Sequence, residues 1–200
     1  MAQLMDPDIK LVFLQGSTGS GKTLLALASA LEQRRDYRQI LITRPMVHLE
    51  DEDRIGFLPG PLQEKMSPWL RPIWRALNQL TENNQESKKL IEKLRESGKI
   101  DIEPLDFIRG MTFVKDFLIV DEAQNLTPHQ VKTIITRSGM FSKLVFTGDT
   151  RQIDCRRRLD EKSNGLTYAS NRLNNSPLVA NSHFKYTVRS ELADLAEKLL

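Results

Sequence analysis

The sequence predicts an α/β fold of three layers, in which a mainly parallel sheet is covered by helices on both faces. Short apolar runs typical of buried strands alternate with amphipathic stretches along the chain, which is the pattern of a parallel sheet. A glycine-rich turn separates the first strand from the first long helix. The 200 residues, 40% of them hydrophobic, suffice for one folded domain, so we expect residues 1–200 to form a single domain.

The predicted strands are runs of β-type apolar residues: Leu11–Leu14, Ile40–Thr43, Ile100–Glu103, Phe117–Val120, Leu144–Thr147 and Phe184–Val188. Apolar residues at three- and four-residue spacing predict helices over 23–35, 62–80, 90–96, 128–137, 166–173 and 191–199. Thr127 is a natural N-cap for the helix that begins with Pro128. The polar stretch 81–89 predicts a loop, and we expect residues 46–110 to be partly an insertion of loops and helices.

Composition excludes several classes of protein. The net charge of +3 is too small for a strongly basic nucleic-acid clamp, so nucleic-acid binding would depend on local patches. Arg151 and Arg156–Arg158 form one such patch, which is either a solvated loop or a loop that contacts phosphates. The single cysteine, the absence of an apolar run long enough to span a membrane and the polar N-terminus predict a cytoplasmic protein without membrane association.

A phosphate-binding loop follows the first predicted strand. The pattern G-x-x-x-x-G-K-[ST] is matched in full by Gly16, Ser17, Thr18, Gly19, Ser20, Gly21, Lys22 and Thr23. The glycines let backbone N–H groups surround a phosphate chain, and the following helix directs its positive dipole end at the same anion. Lys22 is expected to reach the β- and γ-phosphates, and the Thr23 hydroxyl is expected to ligate Mg²⁺.

A pair of acids follows the apolar strand Phe117–Val120. Asp121 stands at the carboxyl end of this strand, where ligands of open α/β sheets collect, so we expect it to hold the metal. Glu122, one residue further, is suited to orient or deprotonate the attacking water. The alternative is an ordinary charge pair at the end of a strand.

Polar side chains near the ends of two apolar strands are candidate sensors of the γ-phosphate. Asp149 and Gln152 follow the strand Leu144–Thr147, and Gln124 follows the acid pair. A glutamine amide donates and accepts at once, which suits hydrogen bonding to phosphate or to the attacking water. We therefore assign Gln124 and Asp149 to nucleotide binding and Gln152 to catalysis.

The chain resembles the PhoH-like ATPase family over nearly its whole length. The segments that carry the resemblance are 16–23, 43–45, 56–60, 68–72, 108–110, 121–127, 132–137, 147–149, 152–154, 163–168 and 189–192. The likeness is greatest to the ATPase half of proteins that also carry a PIN-type ribonuclease domain. No PIN-type segment occurs in these 200 residues, so ribonuclease activity is not implied.

The resemblance implies a RecA-like core that hydrolyses ATP with Mg²⁺. It also implies RNA or another single-stranded nucleic acid as substrate, a helicase-like activity and a ring-shaped homo-oligomer, for which a hexamer is one option. A nuclease partner acting in trans would fit the same family. A transition-state arginine is further expected, with Arg189 the first choice, followed by Arg109, Arg137 and Arg44.

Two other functions remain open at the level of sequence. A nucleoside kinase can combine a phosphate loop with an Asp-Glu-x-Gln element, although the four-cysteine zinc site of thymidine kinases is impossible with Cys155 alone. A non-enzymatic switch or scaffold could use ATP binding to govern a partner, but it has little use for a water-activating carboxylate such as Glu122. The absence of an Asn-Lys-x-Asp motif disfavours a GTPase.

Overall fold

The computed structural model describes the chain except residues 46–61, 109, 155–158, 189–191, 193–194 and 196–200, and for residues 62–69 it describes the backbone alone. The described helices are α1 (Ala2–Met5), α2 (Lys22–Glu32), α3 (Leu62–Thr81), α4 (Gln85–Glu96), α5 (Pro128–Ile135) and α6 (Gly165–Leu173). The strands are β1 (Leu11–Gly16), β2 (Gln39–Arg44), β3 (Ile100–Pro104), β4 (Asp116–Val120), β5 (Lys143–Gly148) and β6 (Val179–Phe184).

The six strands form one sheet in the order β3-β2-β4-β5-β1-β6, and every neighbouring pair is parallel. Strands β1 and β4 are therefore separated by β5 alone. Because all strands point the same way, the segments that follow them emerge at one edge of the sheet. This topology places the loop after Gly16, the acids after Val120 and the residues after Gly148 at the same edge.

Alternating side chains along each strand supply two separate cores. Val12 and Leu14 pack with α1, α2, α3 and α4 on one face, whereas Leu11 and Phe13 pack with α5 and α6 on the other. Strands buried on both faces have continuous apolar sequences, and β4 is buried at every position. The structure is thus the three-layer α/β fold that the sequence predicts.

Local sequence explains why α5 begins where it does. The Thr127 hydroxyl accepts a hydrogen bond from the Gln130 backbone N–H at 3.2 Å, and the Gln130 side chain accepts from the Thr127 N–H at 2.9 Å. This capping box satisfies two backbone donors that a helix start leaves without partners. Pro128 occupies the first turn, where its missing N–H is not needed.

Two predicted segments differ in the structure. The polar stretch 81–89 is not one loop, because Asn84 caps α4 by accepting from the N–H groups of Glu86 and Ser87 at 2.9 and 3.1 Å. The last strand is Val179–Phe184 rather than 184–188, and its side chains are mostly half-exposed, as suits a strand at the edge of the sheet. Most of the helix predicted over 191–199 lies outside the described residues.

Among the residues that the structure describes, no helix has both the length and the apolar composition needed to cross a lipid bilayer.

Candidate nucleotide-binding site

The glycine-rich loop joins β1 to α2 at the carboxyl edge of the sheet. Gly19 and Gly21 adopt φ of 80° and 81°, values that favour glycine because they lie in the left-handed region. Gly21 is the N-cap of α2, so the first turn of this helix opens directly onto the loop. An anion held there would meet backbone N–H groups of the loop and the positive end of the helix dipole.

Gly16 also has to be glycine for a reason of space. A Cβ atom added to it would lie 2.8 Å from both the Cβ and the carbonyl oxygen of Phe184, on the neighbouring strand β6. The backbone of β1 therefore approaches β6 closely at the point where the loop begins.

Lys22 is buried against the loop that it follows. Its Nζ donates to the carbonyl oxygens of Gly16 and Ser17 at 2.7 and 2.8 Å, and it lies 3.3 Å from the Ser20 hydroxyl. These contacts hold the ammonium group inside the curve of the loop. That is the position from which a lysine can exchange backbone carbonyls for phosphate oxygens.

Thr23 and Asp121 meet across the sheet edge. The Thr23 hydroxyl donates to Oδ1 of Asp121 at 2.8 Å, although the two residues are 98 positions apart in the chain. The Thr147 hydroxyl donates to the same oxygen, and the Asp121 backbone N–H donates to the carbonyl of Thr43. The carboxylate is thus fixed between the loop and β5, while the backbone of Asp121 is fixed to β2.

Glu122 stands beside Asp121 in a strained backbone conformation, with φ of 54° and ψ of 40°. Desolvation raises the pKa of its carboxyl group above the ordinary value, and the charge of Asp121 raises it further. The hydrogen bond from Gln124 and the charges of Arg44 and Lys22 act in the opposite direction. A carboxylate with a raised pKa is a better proton acceptor.

The side-chain amide of Gln124 joins the segments that follow β4 and β5. Gln124 Nε2 donates to Oε2 of Glu122 and, at 2.9 Å, to the carbonyl of Gln152. Gln124 Oε1 accepts from the backbone N–H of Asp149 at 3.2 Å. Each polar group of the buried Gln124 amide therefore has a partner.

Asp149 and Gln152 also hold the phosphate loop. Oδ2 of Asp149 accepts from the Thr18 backbone N–H at 2.8 Å, and the Thr18 hydroxyl donates to Oε1 of Gln152 at 2.6 Å. Two of the three predicted sensor residues thus contact the loop directly. A change in the loop on phosphate binding would reach both of them.

These residues surround a cleft of about 470 Å³. Its lining includes the loop from Thr18 to Thr23, the acids Asp121 and Glu122, and Gly148 with Asp149. Gln79 of α3 and Val188 complete it, and sequence reasoning missed both. Neither carries a motif, because α3 and the segment after β6 reach the cleft through the tertiary fold alone; the Val188 N–H donates to the Gly19 carbonyl at 3.2 Å.

The structure describes two of the four candidate transition-state arginines. Arg189 and Arg109 lie outside the described residues, as do Arg156–Arg158 of the basic patch. Arg137 is half-buried near Gly110, next to the end of α5, rather than in the cleft. Arg44 contacts a residue of the cleft, since its Nη2 is 3.5 Å from Oε1 of Glu122.

The oxygen donors at this site fit Mg²⁺. Mg²⁺ prefers hard oxygen ligands and is usually held by one or two carboxylates together with substrate phosphates and water. The Thr23 hydroxyl and the Asp121 carboxylate, already in contact beside the loop, are donors of this kind. No group of three or more acids, histidines or cysteines able to hold a metal occurs in the described parts of the chain, so phosphate oxygens and water would complete the shell.

The chain is similar in sequence to known proteins over its whole length. The family model described as PhoH-like protein matches residues 1–200. Protein PhoH2 of Bacillus subtilis (strain 168) is 43% identical over 200 residues, which cover 98% of this chain and 44% of that protein. A PhoH-like protein of Mycobacterium tuberculosis (strain ATCC 25618 / H37Rv) is 44% identical over 146 residues, or 72% of this chain and 40% of that protein. The chain thus spans less than half the length of these curated relatives.

Among solved structures, the crystal structure of arterivirus nonstructural protein 10 (helicase) aligns with a TM-score of 0.46 and 13% identity. The alignment covers 97% of this chain and 40% of that one.

Proposed function

Because this chain belongs to the family of PhoH-like proteins, we propose that it is a magnesium-dependent ATPase that couples hydrolysis to the remodelling of RNA or another single-stranded nucleic acid. The observation that carries the ATPase proposal is the contact between Thr23 and Asp121, with Glu122 next to it on the wall of the same cleft. This arrangement joins a phosphate loop, a metal-binding pair and a candidate base in one place.

The loop would bind the triphosphate through its backbone N–H groups, while Lys22 neutralises the β- and γ-phosphates. Bound Mg²⁺ would supply charge neutralisation on the phosphate oxygens, and Thr23 and Asp121 would hold it. Thr18 is hydrogen-bonded to Asp149 and Gln152. A movement of Thr18 when the γ-phosphate binds would therefore be transmitted to the ends of β5 and β4.

Glu122 would orient the attacking water and accept its proton. Its partly buried position and raised pKa suit this role, and Gln124 fixes the carboxylate through a hydrogen bond to Oε2. Breaking the bond between the γ-phosphorus and the bridging oxygen releases ADP and inorganic phosphate. The proton taken from water returns to solvent or to phosphate.

The proposal extends to assembly and location. In a homo-oligomeric ring a second copy could supply an arginine to the γ-phosphate, and Arg189 is the residue that we would test first for this role. The single cysteine suits a reducing, cytoplasmic compartment.

Glu122→Gln tests the proposal directly. The amide keeps the size and the hydrogen-bonding reach of the side chain but cannot accept the proton, so kcat should fall about 10²-fold or more while ATP still binds. Glu103→Gln is the matched control, because Glu103 also lies near the end of a strand and also has a raised pKa. Turnover that survives in Glu122→Gln would refute the assignment of the base.

Phosphate release measured with and without single-stranded RNA, at low and at moderate salt, tests the coupling to nucleic acid. Stimulation that fades as salt rises is expected for contacts with the phosphate backbone. Transfer of the γ-phosphate of ATP to an added nucleoside instead of water would favour the kinase alternative. Binding of ATP without any hydrolysis would favour a switch.

A further inference from the structure

A second cleft, of about 770 Å³, lies at the amino ends of the strands, whereas the candidate nucleotide-binding site lies at their carboxyl ends. It is lined by Arg35, Tyr37, Arg38, Lys99, Thr112, Val114 and Lys115, and we call it the basic cleft. Tyr37 and Arg38 precede β2, Lys99 immediately precedes β3 and Lys115 immediately precedes β4. In a parallel sheet the amino ends of the strands share one edge, which explains why residues so distant in sequence meet here.

Among the described residues, the lining includes four cationic side chains and no acidic one. Arg38 pairs with Asp116, which lies behind the lining, through two hydrogen bonds of 3.1 and 3.0 Å. Lys99 donates to the backbone carbonyl of Tyr37, a partner that carries no charge. Asp36, the acid next to Tyr37 in the chain, is exposed. The basic cleft therefore keeps an excess of positive charge after its neighbouring acids are counted.

An exposed aromatic residue, Phe141, follows a residue that contacts the backbone of Lys115 in the basic cleft. The Lys115 backbone N–H donates to the carbonyl of Met140 at 2.9 Å, and Phe141 is the next residue, just before β5. Phe141 is 69% exposed and has a φ of 62°, while Met140 is 71% exposed. A large apolar ring held in solvent by a strained turn has no role in the core.

We propose that the basic cleft binds the phosphate backbone of a single-stranded nucleic acid, with a base stacked on Phe141. Cations that follow a backbone together with an exposed aromatic ring form the combination that single strands recognise, because every base has a π-face. An acidic peptide would use the cations but not the ring. The inference rests on the proposed function, since it locates the nucleic acid that the ATPase would act on.

The placement allows ATP and nucleic acid to bind at the same time. Strand β4 runs from Asp116 beside the basic cleft to Val120 beside the acids. Five residues of strand span about 16 Å, so the two ligands would occupy opposite ends of one buried strand. Neither would block the other.

The test is fluorescence anisotropy of a labelled oligouridylate with the full chain, without nucleotide, at several salt concentrations. Arg35→Gln/Lys115→Gln removes two exposed charges and leaves the Arg38–Asp116 pair intact. Lys89→Gln/Lys132→Gln removes two exposed charges elsewhere and is the matched control. The first variant should bind several-fold more weakly, with a log–log salt slope reduced by about 1.4, whereas the control and the basal ATPase rate should be unchanged.

Phe141→Asn tests the stacking, because asparagine tolerates the left-handed backbone at this position. Loss of one stacked base should weaken binding at least about fivefold without a change in salt slope. Phe107→Asn, which removes another exposed ring, is the control and should bind as the native chain does.

Four results would overturn the inference. Equal binding by the Arg35→Gln/Lys115→Gln variant and its control would show that the strand binds elsewhere, with the proposed function intact. Equal binding by Phe141→Asn and the native chain would show that no base stacks on Phe141. Polyglutamate that competes as well as unlabelled RNA would assign the basic cleft to acidic proteins. A native chain that binds no RNA and shows no RNA-stimulated phosphate release would refute the nucleic-acid part of the proposed function itself.

Discussion

Arg44 and Glu122 meet from two adjacent strands, with Nη2 of Arg44 3.5 Å from Oε1 of Glu122. Arg44 is the last residue of β2, and Glu122 follows the end of β4, the strand that pairs with β2. The guanidinium group therefore acts on the carboxylate that we propose as the base, and it lowers the pKa that burial raises.

Removal of this charge should change the pH dependence of turnover. In Arg44→Ala the pKa of Glu122 should rise further, so the acid limb of the kcat profile should move to higher pH, because the base must be deprotonated to act. Arg44→Lys keeps a positive charge and should shift the limb less. A kcat–pH profile in Arg44→Ala identical to that of the native chain would show that the pair does not influence the base.

The hydroxyl of Thr23 should determine the requirement for Mg²⁺. Thr23→Ala removes one oxygen donor next to Asp121, so the magnesium concentration for half-maximal ATP hydrolysis should rise at least about tenfold. Thr23→Ser restores the hydroxyl and should restore the native dependence. The circular dichroism of both variants should match the native spectrum, and titration of Mg²⁺ at saturating ATP measures the effect.

Gly148 should be intolerant of a side chain because it abuts Gln124. A Cβ atom there would lie 2.6 Å from Oε1 of Gln124 and 2.6 Å from Cδ2 of Leu166, so Gly148→Ala must displace the amide that organises Glu122 and Asp149. We expect a loss of about 1–3 kcal/mol in the free energy of unfolding together with a lower kcat.

Gly98→Ala separates a loss of stability from a loss of turnover. Gly98 has a φ of +67° but open space around its Cβ position, so this variant should lose stability through backbone strain yet keep native kcat. Urea unfolding measures the stability of both variants, and phosphate release measures their kcat. Native turnover in Gly148→Ala would mean that the Gln124 amide is not needed in its observed position.

Lys143 should make stability depend on pH in the alkaline range. This buried side chain donates to the backbone carbonyls of Leu4 and Asp6 at 2.7 Å each, and burial lowers its pKa from 10.5 to about 8. Between these two values the unfolded chain binds more protons than the folded one, so the contribution of Lys143 to stability increases as pH rises from about 8 to 10.5.

Lys143→Met removes the titrating group with little change in volume. As pH rises from about 8 to 10.5, the unfolding free energy of the native chain should increase relative to that of this variant by up to about 3 kcal/mol. Urea unfolding at several pH values measures it, and subtraction of the variant cancels the titration of other groups, such as Tyr37, whose pKa burial raises to about 12. A difference independent of pH would contradict the assignment.

The amino-acid sequence by itself determined the fold class, because apolar alternation and continuous strands such as Phe117–Val120 require a sheet that is covered on both faces. It also determined the local conformation of the phosphate loop, whose glycines and following helix are consecutive in the chain. The start of α4 is mispredicted because the cap at Asn84 is a side-chain interaction within a uniformly polar stretch.

Only the tertiary structure decided which strand ends meet. The contact between Thr23 and Asp121, the pairing of Arg44 with Glu122, and the presence of Gln79 at the cleft all depend on strand order and helix packing. The basic cleft has the same origin, since its cations precede three different strands. Such juxtapositions join residues tens of positions apart, and no local periodicity encodes them, because they arise when each strand finds its neighbour in the sheet.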